Sequence, residues 1–428
     1  MSFYNKMTKT ELENEKIKLK KKYENFKQMN LKLNMSRGKP STEQLELSSG
    51  MLNNITCDDL SKTEDGFETR NYGMLSGIPE AKKFFANILD VTPDMIIVGE
   101  NSSLSLMYNC VHIAMQFGIL GNKPWKDIEN VKFLCPAPGY DRHFAICEIF
   151  GIEMISIPMD ENGPDMDKVK MLAESDPLVK GIWCVPKYSN PTGITYSDEV
   201  VRKFAALKPA AQDFRIFWDN AYVVHHLSKK HDELLNIFDV CKDYGSEDMV
   251  LEFTSTSKIT FPGGGISAIA TSEKNVQSIL EIMSIQTICN DKINQLRHCL
   301  FFSTSQKLDS HMQAHASIIK PKFDLVLEKL EEKIKPFGIG SWTNPNGGYF
   351  ISFNSMNGCG KRIGELCKQA GVVLTNVGAT YPYGIDPYNR NIRIAPTFPP
   401  IKELSIAMDV FCVCVKIASI EKLLREYE

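Results

Sequence analysis

No apolar run in this 428-residue chain approaches the length of a membrane span. The charge is nearly balanced, with 49 Lys and Arg against 52 Asp and Glu. No basic excess is left for a nucleic-acid or anionic-membrane partner. There is no internal repeat and no low-complexity linker. Residues 1–32 are rich in Lys and Glu and lack an apolar signal core, so nothing in them points to secretion. No CxxC pair occurs among the 12 cysteines, which are scattered through apolar stretches, as at Cys110, Cys135, Cys147 and Cys184; Cys412 and Cys414 sit in a C-terminal apolar segment. Reduced, buried thiols are expected rather than disulfides or zinc ligands, and with them a cytoplasmic compartment. His311 and His315 have the spacing of a helical metal pair, but HExxH is missing and no further cluster accompanies them, so no metal is expected. Gly263-Gly264-Gly265 is misplaced for a dinucleotide fingerprint, which belongs between a first strand and its helix.

What remains is a globular composition, 43% hydrophobic and 24% charged, too long for one ordinary core. Residues 8–30 read as a charged helix. From about residue 70, short apolar runs alternate with longer helical patterns. Expected strands are 95–98, 132–135, 154–157, 181–185, 215–218, 249–253 and 266–270. Expected helices include 103–117, 141–150, 197–207 and 273–289. That rhythm predicts an α/β unit with a mostly parallel central sheet. Beyond residue 310 come a long helix (311–334), a strand (348–353), a helix (360–370), a strand (391–394) and a C-terminal helix from about 401. The expected division is a large domain over 70–310 and a smaller α+β domain formed by 1–69 and 311–428.

Three motifs fall at expected strand ends, where open α/β sheets gather their ligands. Ser189-Asn190-Pro191-Thr192-Gly193 follows one, Asp219-Asn220-Ala221-Tyr222 a second, and Ser255-Thr256-Ser257-Lys258 a third. Each has a bland reading alone: a turn, a helix cap, a solvated lysine. Together with Arg393 they supply an amine for an aldehyde, an acid for a pyridine nitrogen, donors for a phenolate oxygen and a fork for a carboxylate. That is what pyridoxal phosphate chemistry on an amino acid requires. Lys258 is the candidate amine, Asp219 the pyridine partner, and Tyr222 and Asn190 the phenolate donors. Ser255, Ser257, Ser102 and Ser103 suit a phosphate, the last two at a helix start. Tyr140 is placed to stack on the ring, and His143 to support Asp219.

The order and spacing of these motifs resemble a fold-type I, pyridoxal-phosphate-dependent aminotransferase of the aspartate aminotransferase superfamily. The likeness runs from about residue 37 to the C-terminus. It includes Arg37-Gly38-Lys39-Pro40, Asn71-Tyr72-Gly73, Gly77-Ile78-Pro79-Glu80 and Gly347-Gly348-Tyr349-Phe350. The resemblance implies a homodimer with shared active sites, in which Tyr72 reaches the neighbouring subunit's phosphate. It also implies that Gly38 lies near substrate on a segment that closes over it. One departure stands out. The family's phosphate-binding arginine, eight residues after the lysine, is replaced by Ile266. A glycine nest at 263–265, or Lys292 or Arg297 from the same chain or across the dimer, is expected to compensate. With the segment 290–298, these features resemble the divergent subgroup Ic, often described as MocR-like.

The resemblance implies transamination between an L-amino acid, most simply L-aspartate, and 2-oxoglutarate by a ping-pong route. Arg37, Lys39, Arg142 and Arg297 are candidates for a distal carboxylate. An aromatic or broad-range aminotransferase, or a lyase on the same fold, stays open. So does an amino-acid sensor of the MocR type, although about 35 residues before Arg37 are too few for its DNA-binding module.

Overall fold

The computed structural model describes residues 3–56 and 63–427; Cys57 lies outside them. A seven-stranded sheet organises the middle of the chain. Across it the strands run Ile96–Gly99, Ser267–Thr271, Val250–Ser255, Arg215–Asp219, Val179–Cys184, Lys132–Ala137 and Glu153–Pro158. Only Ser267–Thr271 is antiparallel to its neighbours. All seven expected strands are present, displaced at their ends by one or two residues. The central strands are buried at every position, as expected of parallel strands covered on both faces.

Helices pack on both sides and start where the sequence supplies caps. Ser102 accepts from Leu104 N–H at the head of Ser103–Phe117. Ser197 does so for Asp198–Ala205 and Ser272 for Glu273–Gln286. The last helix stops short of residue 289 because Thr287 turns extended. One apolar cluster lies on one face of the sheet around Phe85, Phe204 and Trp218. Another lies around Trp125, Phe133 and Phe217.

A three-stranded antiparallel sheet, Asn391–Ile394, Ile351–Ser355 and Gly340–Trp342, belongs to a separate core. The strand expected at 348–353 begins only at Ile351, because Gly348 takes a left-handed φ of 78° and lies against Tyr188. The long helix runs Ser305–Lys333, starting earlier than expected at a Thr304 cap. The charged N-terminal helix Lys9–Gln28 opens on a capping box, Thr8 with Glu11. It buries Leu12, Leu19 and Tyr23 in the same core as the C-terminal helix Ile401–Arg425. Leu33–Asn34 pairs in parallel with Val372–Val373. From this grouping we propose that the chain divides at about residues 70 and 310.

All described cysteines are free, and Cys289 and Cys299 alone among them are not fully buried. No helix of the described residues is long and apolar enough to cross a membrane.

Leu12 is 1% exposed. Leu12→Ala is expected to cost about 2–5 kcal/mol through lost burial and a residual cavity. Denaturant unfolding checks it by a lower midpoint.

Candidate active site

Val179–Cys184, Arg215–Asp219 and Val250–Ser255 are parallel neighbours, so their carboxyl ends open on one edge of the sheet. A cavity of about 720 Å³ lies there. Its wall includes Asn190, Asp219, Tyr222, Ser255, Ser257 and Lys258, from the last residues of these strands and the loops that follow them. Ser102 and Ser103 contribute the start of a helix, and Tyr140, Asp141 and Arg142 the start of another. Arg37, Gly38, Lys39, Phe350, Thr375 and Arg393 close it from the second core.

Asp219 ends its strand at 3% exposure. Its Oδ2 accepts from His143 Nε2 at 3.1 Å, and the His143 ring lies flat on Trp183, centroids 4.5 Å apart. Oδ1 is buried and meets no donor among the described residues. Leaving a buried carboxylate oxygen unpaired is costly. The arrangement fits a ligand N–H at that oxygen, and a protonated pyridine nitrogen is such a donor.

Lys258 stands half-buried with Nζ 4.8 Å from the Tyr222 ring centroid. Burial lowers its pKa below the ordinary lysine value, and the charge of Asp219 opposes that shift. A lysine so held keeps more free amine near neutral pH, as a nucleophile or proton acceptor needs. Burial holds the Tyr222 phenol well above its usual range and pushes Tyr140 up to about 12. Both therefore stay O–H donors.

Arg393 lies on an edge strand yet is 7% exposed. Its Nη1 donates to Asp141 Oδ1 and to Asn190 Oδ1, each at 3.1 Å, and its Nε to Thr375 Oγ1 at 3.3 Å. The guanidinium carbon sits 4.7 Å from the Phe350 ring centroid. Asn190 thus spends its carbonyl on Arg393 and keeps its NH₂ for a ligand. A Cβ on Gly38 would collide with the same Phe350 ring. Only glycine lets residues 36–39 come this close.

The two serines beside Lys258 are tied together. Ser255 Oγ donates to Ser257 Oγ at 3.1 Å, and Ser257 Oγ to the Asn101 carbonyl at 2.8 Å. This fastens the lysine turn to the residues leading into Ser103–Phe117. Tyr72 stands apart from the cavity wall and is 73% exposed.

The expected substitutes for the missing arginine are placed differently. Gly263, Gly264 and Gly265 all keep ordinary φ values, so they do not form the alternating left-handed nest expected of them. Gly265 is needed for close approach, since a Cβ there would lie 2.9 Å from Thr256 Oγ1. Lys292 and Arg297 do not line the cavity within one chain. Lys292 Nζ faces Phe67 at 5.9 Å, and Arg297 Nη2 donates to Asn294 Oδ1, whose amide in turn holds the carbonyls of Gly264 and Gly265. Helix Lys292–Phe301 thus places Arg297 and Asn294 behind the glycine run and turns Lys292 toward Phe67.

Sequence reasoning gave no role to Asp141, Thr375 or Phe350, which surround Arg393. Phe350 ends the motif Gly347-Gly348-Tyr349-Phe350, and Asp141 opens an expected helix beside Tyr140, so both were open to notice. Thr375 carried no local signal.

A family model described as aspartate amino-transferase matches residues 7–427. The chain belongs to that family. A putative aminotransferase of Mycolicibacterium smegmatis is 45% identical over 405 residues, 94% of each chain. An aspartate aminotransferase of Corynebacterium glutamicum is 43% identical over 404 residues, 94% of this chain and 93% of that one. The crystal structure of an aspartate transaminase from Corynebacterium glutamicum superposes with a TM-score of 0.94 at 42% identity, covering 96% of this chain and 97% of that chain. The architecture is thus that of the pyridoxal-phosphate-dependent aminotransferases, and this chain is an aminotransferase.

In the apo-protein, Lys258 is expected to titrate below the ordinary lysine value, followed by pH-dependent amine labelling and mass spectrometry. Asp219→Asn removes the charge that raises it, so the midpoint should move lower still. A midpoint at the ordinary lysine value would contradict the electrostatic account.

Proposed function

We propose that this aminotransferase moves the amino group of L-aspartate to 2-oxoglutarate, with pyridoxal 5'-phosphate as its cofactor. The observation that carries the choice of substrate is the charge on the cavity wall. Beside Arg393, the wall holds Arg37, Lys39 and Arg142, and no ion pair engages these three among the described residues. Lys39 Nζ rests over the Phe398 ring at 3.8 Å. The carboxylates on the same wall are already engaged, Asp141 with Arg393 and Asp219 with His143. Such a wall suits a dianion, and both proposed substrates carry two carboxylates. The relative named aspartate aminotransferase, 43% identical, supports the same choice.

In this reading Arg393 forks the α-carboxylate of donor and acceptor in turn, with Asn190 and Thr375 holding its plane. Gly38 leaves room for the bound acid beside Phe350. Asp219 holds the proton on the pyridine nitrogen, backed by His143. Tyr222 and Asn190 donate to the phenolate oxygen, and Tyr140 packs on the ring. The phosphate is received by Ser102, Ser103, Ser255 and Ser257, at the positive end of helix Ser103–Phe117. Bound there, pyridoxal phosphate supplies an aldehyde that captures the amino group and a ring that accepts the electrons left at Cα. Lys258 Nζ accepts the proton from the substrate's Cα and later gives one back. The exposure of Tyr72 supports a homodimer in which it reaches the partner's phosphate. The reduced cysteines support a cytoplasmic setting.

Lys258→Ala is expected to abolish turnover while leaving the circular dichroism spectrum and melting curve close to those of the parent. A turnover-competent Lys258→Ala would refute the assignment of the amine.

Among Arg37→Ala, Lys39→Ala and Arg142→Ala, at least one should lower kcat/KM for L-aspartate by about tenfold or more, the worth of one charge-assisted hydrogen bond. The same variant should change kcat/KM for L-alanine little. Equal losses on both substrates, or none in any variant, would argue against a dicarboxylate substrate.

A further inference from the structure

Behind the cavity, a buried polar chain reaches the main chain of the lysine turn from the opposite side. The carbonyl of Lys258 accepts from Tyr349 Oη at 3.3 Å. The next carbonyl, Ile259, accepts from His315 Nε2 at 3.0 Å, and His311 Nε2 reaches the same oxygen at 2.8 Å. Tyr349 and His315 both face the amide of Gln44. Gln44 Nε2 lies 2.9 Å from Tyr349 Oη and 3.1 Å from His315 Nδ1. Gln44 Oε1 accepts from Ser41 N–H at 3.0 Å.

The proton inventory along this chain runs from the Ser41 end. The Ser41 N–H fixes which end of the Gln44 amide is oxygen, so Nε2 is the donor to both neighbours. A donor at His315 Nδ1 makes that nitrogen the acceptor and leaves the hydrogen on Nε2, which faces the Ile259 carbonyl at 3.0 Å and His311 Nε2 at 3.1 Å. A donor at Tyr349 Oη leaves the phenol hydrogen for the Lys258 carbonyl. Gln44 is 0% exposed, and His315 and Tyr349 are 1% each, so no water competes for these groups. None of the three lines the cavity.

Gln44 belongs to the short helix Thr42–Glu46, a few residues past the stretch that brings Arg37, Gly38 and Lys39 to the cavity. One amide therefore joins the substrate-facing N-terminal segment to the two carbonyls that set how Lys258 is presented. We infer that Gln44 is a positioning residue for Lys258, acting through Tyr349 and His315, and that seating of the N-terminal segment and presentation of the lysine are one mechanical event. The inference rests on the reading of Lys258 as the reactive amine.

The test compares Gln44→Met, which keeps the volume and removes the donors, with Tyr349→Phe and with the double variant. In the cofactor-loaded enzyme, Gln44→Met should lower kcat about tenfold, with KM for L-aspartate changed less than about twofold, because a misdirected amine loses orientation rather than binding. In the apo-protein, hydrogen exchange over residues 255–261 should quicken about fivefold. The double variant should be no worse than Gln44→Met alone, because both substitutions cut one chain. Wild-type kcat and exchange in Gln44→Met, or losses that simply add in the double variant, overturn the inference. Should Gln44→Met fail to fold, Tyr349→Phe decides alone, and wild-type kcat and exchange there overturn it too. An active Lys258→Ala removes the reading beneath the inference. A wild-type-like Gln44→Met beside an inactive Lys258→Ala removes the inference alone.

Discussion

Three neighbouring parallel strands must end on the same edge of their sheet, and the site depends on that constraint. Val179–Cys184 leads to Asn190, Arg215–Asp219 ends in its own aspartate, and Val250–Ser255 leads to Lys258. Parallel pairing at a fixed strand spacing brings the three groups together without any contact among the motifs in sequence. The edge is only half of the cavity. Arg393 and residues 36–39 come from the other core, so the cavity depends on how the two cores pack. The Arg393–Asp141 and Arg393–Asn190 bonds are among the polar contacts of that packing.

The electrostatics follow from the same placement. Asp219 is buried with one oxygen satisfied by His143 and the other unpaired, an arrangement a stable core avoids unless a ligand completes it. Lys258 is half-buried beside it and is shifted toward its free amine. On the opposite wall, cations outnumber free carboxylates. The site therefore combines one weakly solvated amine, one unfinished acid and a positive entrance. That combination suits an amino acid with two carboxylates better than an aromatic one.

Much of this was legible in sequence, for local reasons. Buried parallel strands read as short apolar runs, and all seven were visible. Helix starts such as Ser197-Asp198-Glu199 announce themselves through caps and first-turn acids. Lys258, Asp219, Asn190 and Tyr222 were visible because each sits in a compact motif just beyond a strand. What stayed hidden is non-local. The pairing of Leu33 with Val372 has no signal in either segment. Arg393 and Asp141 meet across 252 residues, and Gln44 and Tyr349 across 305. Helices Pro79–Leu89, Met166–Ser175 and Lys292–Phe301 were not assigned, although Pro79 at a first helical position and Asp165 as a cap were available cues. The glycine run at 263–265 misled because glycine serves close approach as well as left-handed turns, and composition does not distinguish the two.

The most direct measurement is the visible absorption spectrum of the purified protein loaded with pyridoxal phosphate, recorded before and after addition of L-aspartate. The account predicts a lysine-bound cofactor band that converts to that of the amine form, with stoichiometric release of oxaloacetate. A protein that takes up no cofactor would contradict the account of Lys258 and Asp219. A cofactor band that L-aspartate leaves unmoved would contradict the reading of the positive cavity wall.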